Sequence, residues 1–254
     1  EQTPPFVDEW VKHQTRDEYW KHGSINEDYT QIQIPVLTMS GWADGYTNAV
    51  FRLMKHLDVP KKAVIGPWAH EFPDVAIPGP QFGYLQEVVS WLDKWMGDKQ
   101  TENHRDEFLV YLQDSVEPKT TYDYREGKWL NLLNEEITTK NLFAGTTREI
   151  QLKNKQQHGL YSGVFCPFGQ DGDLPDDQTI DNALANSLML DMYGDTLNIM
   201  GQPVAKLRVK SDCKEANIHI RLTDVHPDGS KTLVTMGQFN LNHYKSNEFP
   251  EDLP

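Results

Sequence analysis

The 254-residue chain is predicted to contain an α/β region with a parallel sheet, followed by an all-β region. Two observations predict this fold class. Residues 31–105 contain two short, almost continuously apolar runs, each followed by an amphipathic stretch. From about residue 106 onwards, the runs instead alternate apolar and polar residues. Continuous runs are typical of strands buried on both faces of a parallel sheet, whereas alternation is typical of half-exposed strands.

The predicted α/β region alternates strand, helix, strand and helix. Ile34–Met39 and Lys62–Gly66 are the two apolar runs and are the predicted strands. Thr47–Leu57 and Tyr84–Met96 place apolar residues at three- and four-residue steps, which predicts two amphipathic helices. A proline follows the first helix and a glycine the second, and both residues commonly end helices. This order indicates a βαβα unit with a parallel sheet.

The later part of the chain is predicted to be rich in strands. The predicted strands are Phe108–Leu112, Ala205–Val209, Ile218–Leu222 and Thr232–Thr235. A tight turn is predicted at His226–Gly229, between the last two of these runs. We therefore expect a β domain at the C-terminal end of the sequence.

The composition excludes several classes of partner. The chain has 38 acidic and 24 basic residues and a formal net charge of −14, so nucleic acid and anionic membrane surfaces should be repelled. No apolar run approaches the roughly 20 residues that a membrane-spanning helix needs. The sequence begins at Glu1 without a recognisable targeting segment. We expect a soluble protein and a cytoplasmic location.

Neither cysteine indicates a metal site. Cys166 and Cys213 lack the spacing of metal-binding cysteines, and we expect buried thiols, with a disulfide between them as the alternative. His70 precedes a glutamate, as in a zinc-binding H-E-x-x-H segment, but Asp74 stands where the second histidine would be. We predict no metal and no cofactor.

Two polar side chains follow the two strands of the predicted parallel sheet. Asp44 lies in the glycine-flanked loop Ser40–Gly45, directly after the first strand. His70 ends the segment Gly66–His70, directly after the second strand. Functional groups gather beyond the carboxyl ends of parallel strands, so both side chains should emerge at the same edge of the sheet.

An acid after one strand and a histidine after the next is the order in which an α/β-hydrolase completes its catalytic triad. A carboxylate orients the imidazole, and the imidazole removes the proton of a serine hydroxyl. We therefore predict that Asp44 orients His70 and that His70 is the general base. As alternatives, Asp44 could cap the helix that follows it, and His70 could be a hydrogen-bonded loop residue.

The segments around these residues resemble one enzyme family. Pro35–Leu37, Gly41–Gly45 and Gly66–His70 are similar to the Pro-Val-Leu, Gly-Trp-x-Asp-Gly and Gly-Pro-Trp-x-His motifs of the cocaine esterase / X-prolyl dipeptidyl-peptidase family (CocE/NonD hydrolases). Other segments also resemble the helical cap and the C-terminal domain of that family; they are Asp17–Trp20, Phe165–Gly169, Leu174–Gln178, Gly201–Pro203 and Leu222–Gly229.

The resemblance implies a fold and a division into domains. We expect the C-terminal part of an α/β-hydrolase core followed by a jelly-roll β-sandwich. The implied domains are a cap remnant at 1–30, the hydrolase part at 31–105 and a truncated jelly roll at 106–254.

The resemblance also implies a serine hydrolase that cleaves esters, amides or short peptides through an acyl-serine. Asp44 and His70 would be the triad acid and base. The nucleophile should lie outside this chain, because no Gly-x-Ser-x-Gly segment occurs in it. We therefore expect a fragment that is inactive alone, whose partners are the substrate and the N-terminal part of the same enzyme, with a homodimer as a further possibility.

Two tryptophans flank the expected site. Trp42 and Trp68 are candidates for lining the substrate pocket, and packing that holds the two loops in place is the alternative. A different function also remains open, since jelly rolls host lectins. The β region could be a non-catalytic module that binds carbohydrate or another protein.

Overall fold

The computed structural model describes residues 5–97, 104–139, 141, 149–154, 159–192 and 197–253. These residues form two compact units. One unit contains the described residues of Glu1–Gln33, Pro203–Leu222 and Thr235–Pro254, and the other contains those of Ile34–Gln202 and Thr223–Val234. Residues near both ends of the chain thus share one unit, and the three consecutive domains expected from the sequence remain a prediction.

The second unit is built on a four-stranded sheet. Its strands, in spatial order, are β1 (Val36–Gly41), β2 (Lys61–Gly66), β3 (Glu107–Gln113) and β4 (Gly127–Asn131). β2 runs parallel to both β1 and β3, and β4 is antiparallel to β3. The predicted parallel sheet is thus present, with an antiparallel strand at one edge.

The sheet continues beyond residue 106, where we expected the β-rich region to begin. The strand predicted over Phe108–Leu112 is present as β3, but its parallel neighbour is β2 of the α/β region. β4 was not predicted from the sequence. Gly127–Asn131 offers only a short run with two apolar residues, Trp129 and Leu130, which is too brief for a clear periodicity.

Both predicted helices of this unit are present. They are α3 (Thr47–His56) and α4 (Tyr84–Met96). Helix α3 packs on the sheet: Val50 is buried, and the ring of Phe51 lies 5.1 Å from that of Phe108, measured between centroids. In α4, by contrast, the predicted apolar stripe is largely exposed at Leu85, Val89, Leu92 and Met96.

Burial of the sheet follows its strand order. Ala63, Val64 and Ile65 of β2 are fully buried, as predicted for a strand covered on both faces. Val36–Met39 of β1 is only partly buried, so the same prediction is wrong for the first strand. Among the described strands, β1 forms an edge of the sheet, and its two buried residues are the last two, Ser40 and Gly41.

The other unit joins the N-terminal helices to the C-terminal segment. Its helices are α1 (Phe6–Lys12) and α2 (Glu18–His22). The backbone N–H of Arg16 donates to the carbonyl of Asn247, and Lys21 Nζ lies 3.0 Å from a carboxylate oxygen of Glu248.

The C-terminal half contains one further helix and a hairpin. These elements are α5 (Thr179–Leu184), β5 (Asn217–Val225) and β6 (Lys231–Asn240). The two strands form a two-stranded sheet with the predicted turn between them, closed by a hydrogen bond from Gly229 N–H to the His226 carbonyl. The strand predicted at Ala205–Val209 is wrong, since this segment has no regular secondary structure.

A mixed α/β part followed by a β-containing C-terminal part matches the predicted fold class at this level. The jelly roll stays a prediction. None of the described helices is both long and apolar enough to cross a lipid bilayer.

Candidate active site

The register of β1 and β2 brings the predicted acid and base together. Gly41, the last residue of β1, is the partner of Gly66, the last residue of β2. Asp44 and His70 lie three and four residues beyond these glycines, at the same edge of the sheet. His70 Nδ1 lies 3.2 Å from Asp44 Oδ2, which is hydrogen-bonding distance. The two side chains therefore form the expected pair.

Backbone hydrogen bonds connect the two loops directly. The N–H of Trp42 donates to the Gly66 carbonyl at 2.9 Å, and the N–H of Ala43 donates to the Trp68 carbonyl at 3.1 Å. At Gly41 the backbone of the two segments lies so close together that a Cβ atom would overlap the Trp68 carbonyl. The glycine at this position of the motif is explained by this approach, because no other residue fits.

The carboxylate of Asp44 is held by three donors. Besides His70, the hydroxyl of Ser40 donates to Oδ2 at 3.1 Å, and the backbone N–H of Tyr46 donates to Oδ1 at 2.8 Å. The side chain is 11% exposed. Across the described part of the chain, His70 is the one basic side chain that pairs with it. The carboxylate is thus fixed in position and directed at the imidazole.

His70 is held by its backbone while its side chain remains partly exposed. Its N–H donates to the Pro167 carbonyl at 2.8 Å, and its side chain is 42% exposed. The rings of Phe168 and Tyr46 lie 5.6 and 5.5 Å from the imidazole, measured between centroids. The second ring nitrogen, Nε2, is therefore left without a hydrogen-bond partner among the described residues.

The loop that contains Phe168 also brings a thiol to the site. Cys166 is half-buried, and its Sγ lies within 4.8 Å of a ligand atom of Asp44 and of His70. The segment Phe165–Gly169 resembles a family motif, but its position beside this site could not be predicted, because nothing in the local spacing connects Cys166 with a histidine 96 positions earlier. Cys213 is a free, exposed thiol, so the prediction of burial is wrong for that residue.

Both tryptophans flanking the site pack against the core. Trp68 is 1% exposed, and its indole N–H donates to the Pro80 carbonyl at 2.8 Å. The indole N–H of Trp42 donates to the Tyr111 carbonyl at 2.6 Å, and its ring packs against Phe51. These contacts favour the packing interpretation, in which the tryptophans hold the two loops, over direct contact with a substrate.

Comparison with protein families is consistent with the geometry. Residues 1–71 match the family model described as X-Pro dipeptidyl-peptidase (S15 family), a stretch that includes both Asp44 and His70. Residues 171–254 match the model described as X-Pro dipeptidyl-peptidase C-terminal non-catalytic domain. Comparison with curated protein sequences found no match. The two family matches support the assignment of the chain to the X-Pro dipeptidyl-peptidase / CocE–NonD-like family.

Proposed function

We propose that this chain supplies the acid and the base of a serine hydrolase that cleaves esters, amides or short peptides. The observation that carries the proposal is the 3.2 Å contact between His70 Nδ1 and Asp44 Oδ2, on an imidazole whose side chain is 42% exposed. In this arrangement Asp44 orients the base, and His70 exchanges protons with the nucleophile and the leaving group.

The proposed mechanism requires one particular tautomer of the imidazole. With the Asp44 carboxylate accepting a hydrogen bond from Nδ1–H, the lone pair of His70 lies on Nε2. Nε2 takes the serine proton as the serine oxygen bonds to the substrate carbonyl carbon, and then gives that proton to the leaving alcohol or amine. In the second half of the reaction Nε2 takes a proton from water as the water oxygen bonds to the acyl carbon. The bond between this carbon and the serine oxygen then breaks, and Nε2 returns the proton to the serine oxygen. Asp44 stabilises the imidazolium that forms in between.

The nucleophile is proposed to come from a part of the polypeptide outside these 254 residues. Ser40 is hydrogen-bonded to the pair of Asp44 and His70, but its hydroxyl donates to Asp44 Oδ2 rather than to His70. It therefore supports the acid. The absence of a Gly-x-Ser-x-Gly segment from the chain also favours an external serine.

The remaining parts of the proposal follow the family. Substrates would be small esters, amides or X-prolyl peptides, and the residues matching the C-terminal non-catalytic domain would take no part in bond cleavage. The jelly roll and the cytoplasmic location remain predictions. No metal or cofactor is required for this chemistry.

The test is labelling with a fluorophosphonate probe, which reacts with activated serines. We expect the longer polypeptide that contains this sequence to be labelled, and the 254-residue chain to remain unlabelled. His70→Ala in the longer polypeptide should abolish labelling. The matched control is His22→Ala, at an exposed histidine of α2, which should leave labelling unchanged. Equal labelling of the His70→Ala and unsubstituted proteins would refute the proposal.

A non-catalytic module that binds carbohydrate or protein is the alternative, and the same experiments separate it from the hydrolase. If the longer polypeptide stays unlabelled and the chain binds a glycan array, the binding function is favoured. Labelling that depends on His70 excludes the alternative as the main function.

A further inference from the structure

We propose that Asp44, His70 and Cys166 together form a binding site for a soft divalent cation of the Zn²⁺ class. One ligand atom from each residue, a carboxylate oxygen, a ring nitrogen and Sγ, lies within 4.8 Å of the other two. Thiolate, imidazole and carboxylate are the three side-chain ligands that zinc takes in proteins. The cluster thus has the chemistry of a three-ligand site.

The loop that contains Cys166 contacts both the loop of Asp44 and the loop of His70. Next to the cysteine, the Pro167 carbonyl accepts the His70 N–H at 2.8 Å. On its other side, Phe165 packs so closely against Gly45 that a Cβ added there would lie 2.9 Å from the Phe165 carbonyl. The position of the thiol is therefore fixed by the backbone contacts of the two residues beside it, Phe165 and Pro167.

The Phe165–Gly169 loop is further fixed by a carboxylate of its own. Asp173 Oδ2 accepts the backbone N–H groups of Phe168 and Gln170 at 2.8 and 3.1 Å. Asp173 is thus committed to holding the loop and is not available as a fourth ligand. Three protein ligands with an open fourth position for water remain, as in zinc sites that stay accessible to solvent.

The arrangement of the three atoms distinguishes a metal site from a relay in which Cys166 would be the nucleophile. In a relay the nucleophile and the acid occupy opposite edges of the imidazole, which keeps them well apart. Here Sγ lies within 4.8 Å of the Asp44 carboxylate as well as of His70, so the three groups form a triangle. Ligand atoms around a tetrahedral zinc ion are separated by roughly 3.3–3.8 Å. The three ligand atoms would therefore need to move only slightly closer together to bind the ion.

The surroundings favour a metal in two further respects. Ser40 and Tyr46 donate hydrogen bonds to the Asp44 carboxylate, and such outer contacts orient metal ligands. The 42% exposure of the His70 side chain gives the cation a path from solvent. On binding, the Cys166 proton leaves to solvent and the thiolate coordinates the cation. The cation also displaces the hydrogen bond between Asp44 and His70.

The first test uses Co²⁺ as a spectroscopic substitute for Zn²⁺ on the untagged 254-residue chain. We expect about one equivalent to bind with a sulfur-to-cobalt charge-transfer band, and added Zn²⁺ to remove that band. Cys166→Ser should abolish the band, whereas the matched substitution Cys213→Ser should leave it intact. Asp44→Asn and His70→Ala should each weaken binding by at least roughly tenfold. No band, or a band lost with Cys213 instead, overturns the proposal.

The second test needs no substitution and so remains informative if a variant fails to fold. Iodoacetamide alkylation is followed by mass spectrometry of the two cysteine peptides, with and without Zn²⁺. We expect Zn²⁺ to slow alkylation of Cys166 at least roughly tenfold while the exposed Cys213 reacts at an unchanged rate. Equal protection of both thiols, or of neither, contradicts the site. Both tests measure metal binding, so their outcome does not depend on whether the hydrolase function is correct.

Discussion

Gly41 and Trp68 approach each other so closely that a Cβ atom at the glycine would overlap the tryptophan carbonyl. This contact lies where the end of β1 meets the loop leading to His70. The same carbonyl accepts the N–H of Ala43 at 3.1 Å. The separation of the acid and base loops, and hence the 3.2 Å contact between Asp44 and His70, depends on the missing side chain at Gly41.

The first prediction concerns this glycine. Gly41→Ala should lower the free energy of unfolding by about 1–3 kcal/mol, because the backbone of Trp68 must move to make room for a methyl group. Urea denaturation of the chain, followed by circular dichroism, measures the loss. Gly237→Ala is the matched control, since nothing lies within 4 Å of a Cβ added at Gly237 in β6. Equal stability of the Gly41 and Gly237 variants would show that the loops can separate without cost.

The sequence was sufficient to predict the pair at the sheet edge. Parallel strands end at the same edge of a sheet. Because Asp44 and His70 each follow one of the two apolar runs, both side chains were expected at that edge. The position of Cys166 could not be predicted from the sequence, because the loop containing it is joined to His70 by a backbone hydrogen bond, which leaves no side-chain pattern. The pairing of β3 with β2 could not be predicted for a related reason. The periodicity of a strand predicts which residues share a face, but it does not predict which strand lies beside it.

The second prediction separates the roles of Asp44 and Ser40. In the longer polypeptide, Asp44→Asn should slow fluorophosphonate labelling by about 10³–10⁴-fold, because an amide no longer holds the imidazole in the correct tautomer. Ser40→Ala removes one hydrogen bond of 3.1 Å to the carboxylate and should slow labelling by about tenfold or less. The rate of labelling is followed in a gel. If the serine variant were the slower of the two, Ser40 would have a direct part in the chemistry.

The third prediction concerns Trp68. Trp68→Phe removes the indole N–H that donates to the buried carbonyl of Pro80, and it should lower the free energy of unfolding by about 1–3 kcal/mol. Because the ring is 1% exposed, the KM of the longer polypeptide for small esters should stay within about twofold. Thermal denaturation and steady-state kinetics give the two values. A raised KM at unchanged stability would instead support direct contact of Trp68 with substrate.

The fourth prediction concerns a partly buried cation that joins three elements. Lys62 Nζ in β2 lies 2.8 Å from carboxylates of Glu87 in α4 and Glu107 in β3, and the lysine side chain is 15% exposed. Lys62→Met should leave these two carboxylates without their common partner and lower the free energy of unfolding by about 1–3 kcal/mol. The control is Lys214→Met, which removes an exposed ion pair and should cost less than about 1 kcal/mol.

The contribution of Lys62 should also depend on pH in a defined direction. Partial burial lowers the pKa of Lys62, but the hydrogen bonds to Glu107 and Glu87 raise it by more, so the pKa lies above its ordinary value of 10.5. A group whose pKa is raised by folding stabilises the protein below the unfolded-state pKa, and this contribution disappears as the pH rises through the folded-state pKa. The stability difference between the chain and Lys62→Met should therefore stay constant up to about pH 10 and decrease above it.

Urea denaturation of both proteins between neutral and alkaline pH measures this difference. A difference that increased with alkaline pH would mean that Lys62 is held with a lowered pKa, so that its burial outweighs the two carboxylates.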